Sequence, residues 1–386
     1  MGVDRQPPGP ALLADPFRPF FLGAGLLALI ALPLWIWMFS GGPDLPVAFD
    51  ARRWHVHEML FGYLGAVLSG FLFTAIPNWT GRLPLRGTGL GLVFVLWLAG
   101  RAMVAVWPGT LASGIVDGAF LVVIAALAWR EIVTGRNWRN APICLLVSLF
   151  ALANILFHIP AMNGMGERLG LAVAAMLIGL VGGRVTPSFT RNWLAKRGAA
   201  ALPAPFGTFD KLALLVMAAA FLAWLVEPDG ALSGAFLLAA AALHLLRLVR
   251  WRGWSVAREP LLVVLHLGYG WLVLAMALMG CAGLGVAGVE PTAALHALVV
   301  GAVGTMTLGV MSRATLGHSG RALVADGATT AMIAAITLSA ALRVAAPVLP
   351  VGYDWAIMAA GLAWCLAFGL FIARYGPILM EPKPQK

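Results

Sequence analysis

Twelve runs of mainly apolar residues, each about 20 residues long, follow one another along this 386-residue chain. A helix of about that length crosses the hydrocarbon core of a bilayer. Only 11% of the residues are charged, whereas a soluble domain carries roughly 25%. The sequence therefore predicts an all-α, polytopic membrane protein with twelve transmembrane helices in a single domain over 1–386. The predicted spans are 19–39, 56–77, 88–107, 110–130, 140–160, 168–187, 209–227, 231–251, 259–281, 291–312, 326–347 and 353–374.

The basic residues are distributed unevenly between the two sides of the membrane. When successive loops are assigned to alternate sides, one side receives only Arg52, Arg53, Arg168 and Arg343, and Arg101 lies within a span. The other 21 of the 26 Lys and Arg residues share the opposite side. Because basic loops stay in the cytoplasm, both termini are expected there. The net charge of +10 is therefore explained by the orientation of the chain in the lipid bilayer, and no nucleic-acid partner is expected.

The cysteines exclude several kinds of metal site. Cys144, Cys281 and Cys365 are isolated, and the chain has no C-x-x-C motif. This pattern excludes zinc ribbons, thioredoxin-like redox centres and covalently attached haem. Any haem in this chain would therefore be held without covalent attachment.

A faint internal repeat groups the spans in fours. Pro19, Pro142 and Pro260 each open a span shortly after an arginine. The span that follows carries Met59-Leu-Phe-Gly-Tyr-Leu-Gly65 in the first group and Met176-Leu-Ile-Gly-Leu-Val-Gly182 in the second, and the tenth span keeps Gly301. The repeats would cover 15–134, 137–253 and 255–376. Chance matching of Gly and Leu between membrane helices is the open alternative.

All seven histidines lie in or beside the spans, where ionisable groups are costly and often functional. The predicted topology sorts them into two layers, which suggests two metal sites. The outer layer holds His55, His57, His158 and His296, and the inner layer holds His244, His266 and His318.

Helical geometry limits what the outer histidines can share. Residues two apart on a helix diverge by about 200°, so His55 and His57 are not expected to face one metal. Glu58 shares a face with His55 and is expected to orient it. Asn154, one turn before His158, is expected to hydrogen-bond across helices.

The inner histidines allow two interpretations. His244 and His266 lie in consecutive antiparallel spans at similar depth, as a pair of axial haem ligands would. A pair of ordinary interhelical hydrogen bonds is the alternative. Arg101 and Asp117 flank the turn at Gly109 and are predicted to form a structural ion pair.

Three strings of the chain resemble the NnrS family of bacterial inner-membrane proteins. They are DPFRPFF at 15–21, WHVHEMLFGY at 54–63 and LGHSGR at 316–321, the last preceded by LHAL at 295–298 and GTMTL at 304–308. The family is associated with haem, copper and the response to nitric oxide, and the resemblance covers nearly the whole chain.

The resemblance implies haem b, copper, nitric oxide or a related small gas as ligand, and a redox partner, without defining a reaction. On matching positions it implies His55, His57, His296 and His318 as ligands. His158, His244 and His266 are ligand candidates on position alone.

A more distant similarity is to the haem-copper oxidases, which have twelve helices in a pseudo-threefold arrangement with a low-spin haem between the second and tenth. His55 or His57 with His296 would match that haem site. The sixth and seventh spans here lack histidine, so the copper part of an oxidase centre is missing. Oxygen reduction by that mechanism is therefore not expected.

The sequence favours a haem- and copper-associated membrane protein that binds, senses or detoxifies nitric oxide through histidine-ligated metals. Two alternatives stay open at this point. One is a twelve-helix secondary transporter whose histidines couple proton movement, and the other is an accessory protein that supplies haem or copper to another enzyme.

The charge asymmetry makes the topology testable. Reporter fusions at the carboxyl end and in the loop near Asp229 are expected to show a cytoplasmic terminus and a periplasmic loop. A periplasmic carboxyl end would contradict the orientation.

Overall fold

A computed structural model of the chain describes residues 9–42, 49–107, 109–350 and 352–384. All regular structure within these residues is helical, and twelve of the helices are long and apolar enough to cross a membrane. The predicted fold class is confirmed, and the chain is a multi-pass membrane protein. The extreme termini, on which the predicted orientation bears, lie outside the described residues. The spans are α1 Phe17–Phe39, α2 Ala51–Pro77, α3 Gly87–Val106, α4 Leu111–Thr134, α5 Trp138–His158, α6 Pro160–Ala195, α7 Thr208–Val226, α8 Ala231–Val249, α9 Pro260–Gly283, α10 Pro291–His318, α11 Gly327–Val348 and α12 Tyr353–Met380.

Two helices extend beyond their apolar runs for identifiable reasons. Helix α2 begins at Ala51 because the Asp50 carboxylate caps it, accepting from the Arg53 amide at 2.9 Å. Helix α10 continues to His318, which was expected to follow the span in a loop. Hydropathy falls after residue 312, but Thr315 and Leu316 are still buried in protein. Packing therefore carries the helix past the end of the apolar run.

The described residues divide into two compact units. The first comprises residues up to Gly170, then Met311–Ala322 and the chain from Phe371 onward; the second comprises Leu171–Val310 and Leu323–Leu370. In the first unit α1 packs on α2, α3 on α4, and α4 on α5. In the second, α7 packs on α8, α8 on α9, and both α9 and α11 on α10.

Three of the long helices contain a π-helical segment. These segments are Glu58–Leu64 in α2, Ile178–Gly182 in α6 and Ala297–Gly304 in α10. Each π-helical segment contains, or is directly followed by, the second of two glycines that lie three positions apart. In α10 this second glycine is Gly304. The segments fall in the second helix of each predicted group of four. This spacing supports the repeat, which stays a prediction.

A π turn displaces carbonyls from the regular helical ladder, and no water replaces those bonds in a bilayer. Side chains supply donors instead. The Trp97 indole N–H donates to the Gly62 carbonyl at 3.0 Å, and Arg247 donates to the Gly179 carbonyl at 2.7 Å. The Thr307 hydroxyl donates to the Val303 carbonyl at 2.6 Å and lies 3.2 Å from the Gly304 carbonyl. Each segment thus has a polar side chain committed to it.

Arg18 ties the first helix to the end of the last. Its side chain is fully buried, and Nη1 donates to the carbonyls of Ile378, Leu379 and Glu381 at 3.2, 3.0 and 2.6 Å. These are carbonyls that the last turn of α12 leaves without intrahelical donors. Asp15 lies 3.5 Å from Arg18 Nε and balances its charge.

Replacing Arg18 by Gln is expected to lower the free energy of unfolding by about 1.5–3 kcal/mol, because charged donors to buried carbonyls are lost. The matched control is Arg52→Gln, whose side chain is 64% exposed in its ion pair with Glu167; its expected cost is about 0–1 kcal/mol. Denaturant unfolding in detergent micelles measures both values. Equal costs would show that Arg18 does not anchor α12.

Candidate metal centre

A cluster of buried polar side chains lies in the first unit, where α2 and α4 begin and α3 and α5 end. Four members, His57, Glu58, Asp117 and Asn154, are almost fully buried. Arg101 and His158 complete the cluster and keep a small exposed fraction. Four helices therefore bring together polar groups from across 102 positions of the sequence, 57 to 158.

Three of these side chains direct ligand atoms at one point. The Asp117 Oδ2 atom lies 3.1 Å from His57 Nε2 and 2.9 Å from His158 Nε2. All three atoms lie within 4.8 Å of one another. Metal–ligand bonds of about 2.0–2.2 Å place neighbouring ligand atoms about 3 Å apart. Two imidazole nitrogens and a carboxylate oxygen form a donor set that suits copper, iron or zinc.

Glu58 orients His57. The Glu58 Oε1 atom lies 3.1 Å from His57 Nδ1, and the opposite ring nitrogen, Nε2, faces Asp117 and His158. Glu58 was expected to orient His55, and this expectation is wrong. Its carboxylate instead contacts His57 and the Arg101 guanidinium, at the point where helix α2 changes to π geometry.

Asn154 joins the cluster from α5. Its Nδ2 donates to Asp117 Oδ2 at 2.8 Å, and its Oδ1 lies 3.1 Å from His57 Nε2. The predicted hydrogen bond across helices is confirmed. Asn154 thereby holds the Asp117 carboxylate in a position where it contacts both histidines.

Arg101 balances the carboxylates. Its Nη1 donates to Glu58 Oε1 at 2.7 Å, and its Nη2 makes a short contact with Asp117 Oδ1. The predicted Arg101–Asp117 ion pair is confirmed, and Glu58 extends it. Two carboxylates against one guanidinium leave the cluster with a net charge of −1 when both histidines are neutral. That charge favours a cation at the ligand atoms.

Aromatic rings surround the cluster. The rings of Phe49, Phe61 and Phe157 lie 5.5, 5.4 and 5.3 Å from the His57 ring, centroid to centroid. Phe49 also lies 5.7 Å from the His158 ring. These walls limit water and so strengthen the electrostatic interactions inside.

Three further histidines have other partners: His55 and His296 of the outer layer, and His318 of the inner layer. His55 stacks on Trp35 with a centroid distance of 4.3 Å, so it diverges from His57 as predicted. His296 belongs to the second unit, and its Nδ1 lies 2.7 Å from the Thr292 carbonyl. His318 belongs to the first unit and lies 5.8 Å from the Phe17 ring.

The inner histidines His244 and His266 have different partners. His244 lies 2.7 Å from the Tyr269 hydroxyl and 3.2 Å from the Ala213 carbonyl. His266 Nε2 lies 2.9 Å from the Thr190 hydroxyl. These contacts are the interhelical hydrogen bonds of the alternative interpretation, and the inner metal site stays a prediction.

Sequence reasoning missed Asp117 as a candidate ligand. It identified the residue only as the partner of Arg101, because one oxygen satisfies an ion pair. The second oxygen bridges two histidines 101 positions apart, His57 and His158, and no local spacing encodes that meeting. One signal was available in the sequence: Asp117 is a carboxylate inside a span, at the same predicted depth as the two histidines.

The family comparison agrees with the sequence motifs. A family model described as NnrS protein matches residues 11–383. The chain belongs to the NnrS family. A search of the curated proteins gives no match. In this NnrS chain the first string supplies Arg18 to the end of α12, and the second supplies His57 and Glu58 to the cluster. The third supplies Arg321, which pairs with Glu381 at 2.9 Å.

Replacing Arg101 by Leu is expected to lower the free energy of unfolding by about 3–5 kcal/mol, because two buried carboxylates lose their counter-charge. Adding Glu58→Gln and Asp117→Asn to the same chain is expected to restore part of that loss. The control is Arg130→Leu, whose side chain is 60% exposed beside Glu131. A loss in Arg101→Leu no greater than in the control would contradict the assigned charge balance.

Proposed function

We propose that this protein acts in the nitric oxide response by binding nitric oxide, or a related small gas, at a copper ion held by His57, Asp117 and His158. The convergence of three ligand atoms in a buried cluster of negative charge carries the proposal. Among divalent first-row metals, copper binds nitrogen and oxygen sites most tightly. Family membership supports both the copper and the setting.

The donor set fits such an ion. His57 faces acceptors on both sides, Glu58 at Nδ1 and Asp117 with Asn154 at Nε2. Metal binding at Nε2 requires that nitrogen to be unprotonated, and it leaves the contact between Nδ1 and Glu58 in place. When bound, copper supplies an open coordination position and a one-electron couple.

The surrounding residues hold the ligands and admit a small molecule. Asn154 and Arg101 fix the Asp117 carboxylate, and the phenylalanine rings exclude water. The side chains of His158 and Arg101 are 9% and 11% exposed, more than the other charged members of the cluster. A diatomic gas would therefore enter past these two side chains.

The haem associated with the family stays a prediction for this chain. Its axial candidates from the sequence are His55 or His57, with His296. His57 is already committed to the polar cluster, which favours His55. The bacterial inner membrane with cytoplasmic termini, and a redox partner that exchanges electrons with the protein, belong to the same proposal.

Copper loading tests the ligand assignment. The purified protein is expected to retain copper through gel filtration, whereas Asp117→Asn and His158→Ala lose it. Glu58→Gln is expected to weaken copper affinity about 10–100-fold, because His57 loses its orienting partner. Mass spectrometry of the metal and circular dichroism of each variant measure copper content and helical structure.

Ser148→Ala is the matched control, since Ser148 lies on α5 and its hydroxyl contacts Trp129 outside the cluster. Copper content that is unchanged in folded Asp117→Asn and His158→Ala would overturn the site. Adding nitric oxide to copper-loaded protein tests the remaining part. A copper electron paramagnetic resonance (EPR) signal that does not respond would overturn gas binding and leave the metal site standing.

A further inference from the structure

The second unit holds a buried tyrosine hydrogen-bonded to a histidine. Tyr269 on α9 and His244 on α8 are both fully buried, and the phenolic oxygen lies 2.7 Å from His244 Nδ1. Arg247 Nη1 lies 2.7 Å from the same oxygen. None of these residues belongs to the metal centre in the first unit.

The partners fix where each hydrogen lies. A guanidinium only donates, so the Tyr269 oxygen accepts from Arg247. A carbonyl only accepts, so His244 Nε2 carries the proton that faces the Ala213 oxygen at 3.2 Å. His244 Nδ1 therefore presents a lone pair in the neutral ring. The Tyr269 hydroxyl donates its hydrogen to that lone pair.

This arrangement removes the main obstacle to oxidising a buried phenol, which is the loss of its proton. Removing an electron from tyrosine makes its hydroxyl strongly acidic, and in a low-dielectric interior the proton needs an acceptor already in contact. An imidazole lone pair at 2.7 Å is such an acceptor. A carbonyl would satisfy the hydroxyl equally well as a hydrogen-bond partner, but it would not take the proton.

We propose that Tyr269 and His244 form a redox-active pair. Tyr269 gives one electron to a one-electron oxidant, an oxidised transition-metal centre, and its proton moves to His244 Nδ1. The phenolic O–H bond breaks and an N–H bond forms, which leaves a neutral phenoxyl radical and an imidazolium. Return of an electron to the phenoxyl reverses the proton transfer.

The neighbouring residues suit this exchange. After the proton transfer, the Nε2–H group of the His244 imidazolium still donates to the Ala213 carbonyl. Asp210 lies 2.7 Å from Arg247 Nε and adds negative charge to the same network. The Trp251 ring lies 4.4 Å from the Tyr269 ring, centroid to centroid, and is also buried. This contact gives the electron an aromatic path beyond Tyr269.

The test uses the purified full chain in detergent, grown with ring-deuterated tyrosine and oxidised by photogenerated tris(bipyridine)ruthenium(III). EPR of frozen samples is expected to show a tyrosyl radical narrowed by deuteration. All samples carry Tyr353→Phe, because Tyr353 is exposed and would also react with the oxidant. Adding Tyr269→Phe is expected to abolish this signal. Tyr375→Phe, at a buried tyrosine stacked on Phe371, is expected to keep it.

His244→Gln separates a redox role from a structural one. Glutamine can still hydrogen-bond with the tyrosine, but it does not accept the proton. Most of the radical yield is therefore expected to disappear, along with the solvent deuterium isotope effect on radical formation. Circular dichroism checks that the variant folds. Absence of a tyrosyl signal in the chain that carries Tyr353→Phe alone, its survival in Tyr269→Phe, or an unchanged yield in His244→Gln would each overturn the proposal.

Discussion

A polar group in the core of a bilayer must find its partner within the protein, because no water is there to replace that partner. Three arginines show how this chain meets the requirement. Arg18 satisfies carbonyls at the end of α12, and Arg247 satisfies carbonyls of the π segment in α6. Arg101 balances two buried carboxylates. In these three places a basic side chain supplies the partner that the lipid does not.

The arrangement of the candidate metal centre follows from the same requirement. Asp117 is stable at span depth because Arg101 and Asn154 hold it, and once held it presents an oxygen to two histidines. Glu58 acts in the same way on His57. The ligands and the residues that stabilise them form one network, so the cost of burying the charges is offset by contacts that also orient the ligands.

The sequence was sufficient to predict what depends on local composition. Apolar runs located the twelve helices, and the depths of Arg101 and Asp117 predicted their ion pair. The orientation of His55 away from His57 followed from helical geometry. By contrast, Glu58 contacts His57 and Arg101 at the start of a π segment that the sequence did not predict. The meeting of His57, Asp117 and His158 depends on how four helices pack, which no single helix encodes.

X-ray absorption at the copper edge of the copper-loaded protein tests the assignment of the metal centre most directly. Three protein ligands are expected as nitrogen or oxygen scatterers at about 2.0–2.2 Å, two of them with the outer-shell pattern of imidazole. Asp117→Asn is expected to change the first shell or prevent loading. A sulfur scatterer at about 2.3 Å would contradict the centre formed by His57, Asp117 and His158, because none of its ligands carries sulfur. A copper shell without imidazole would contradict it equally.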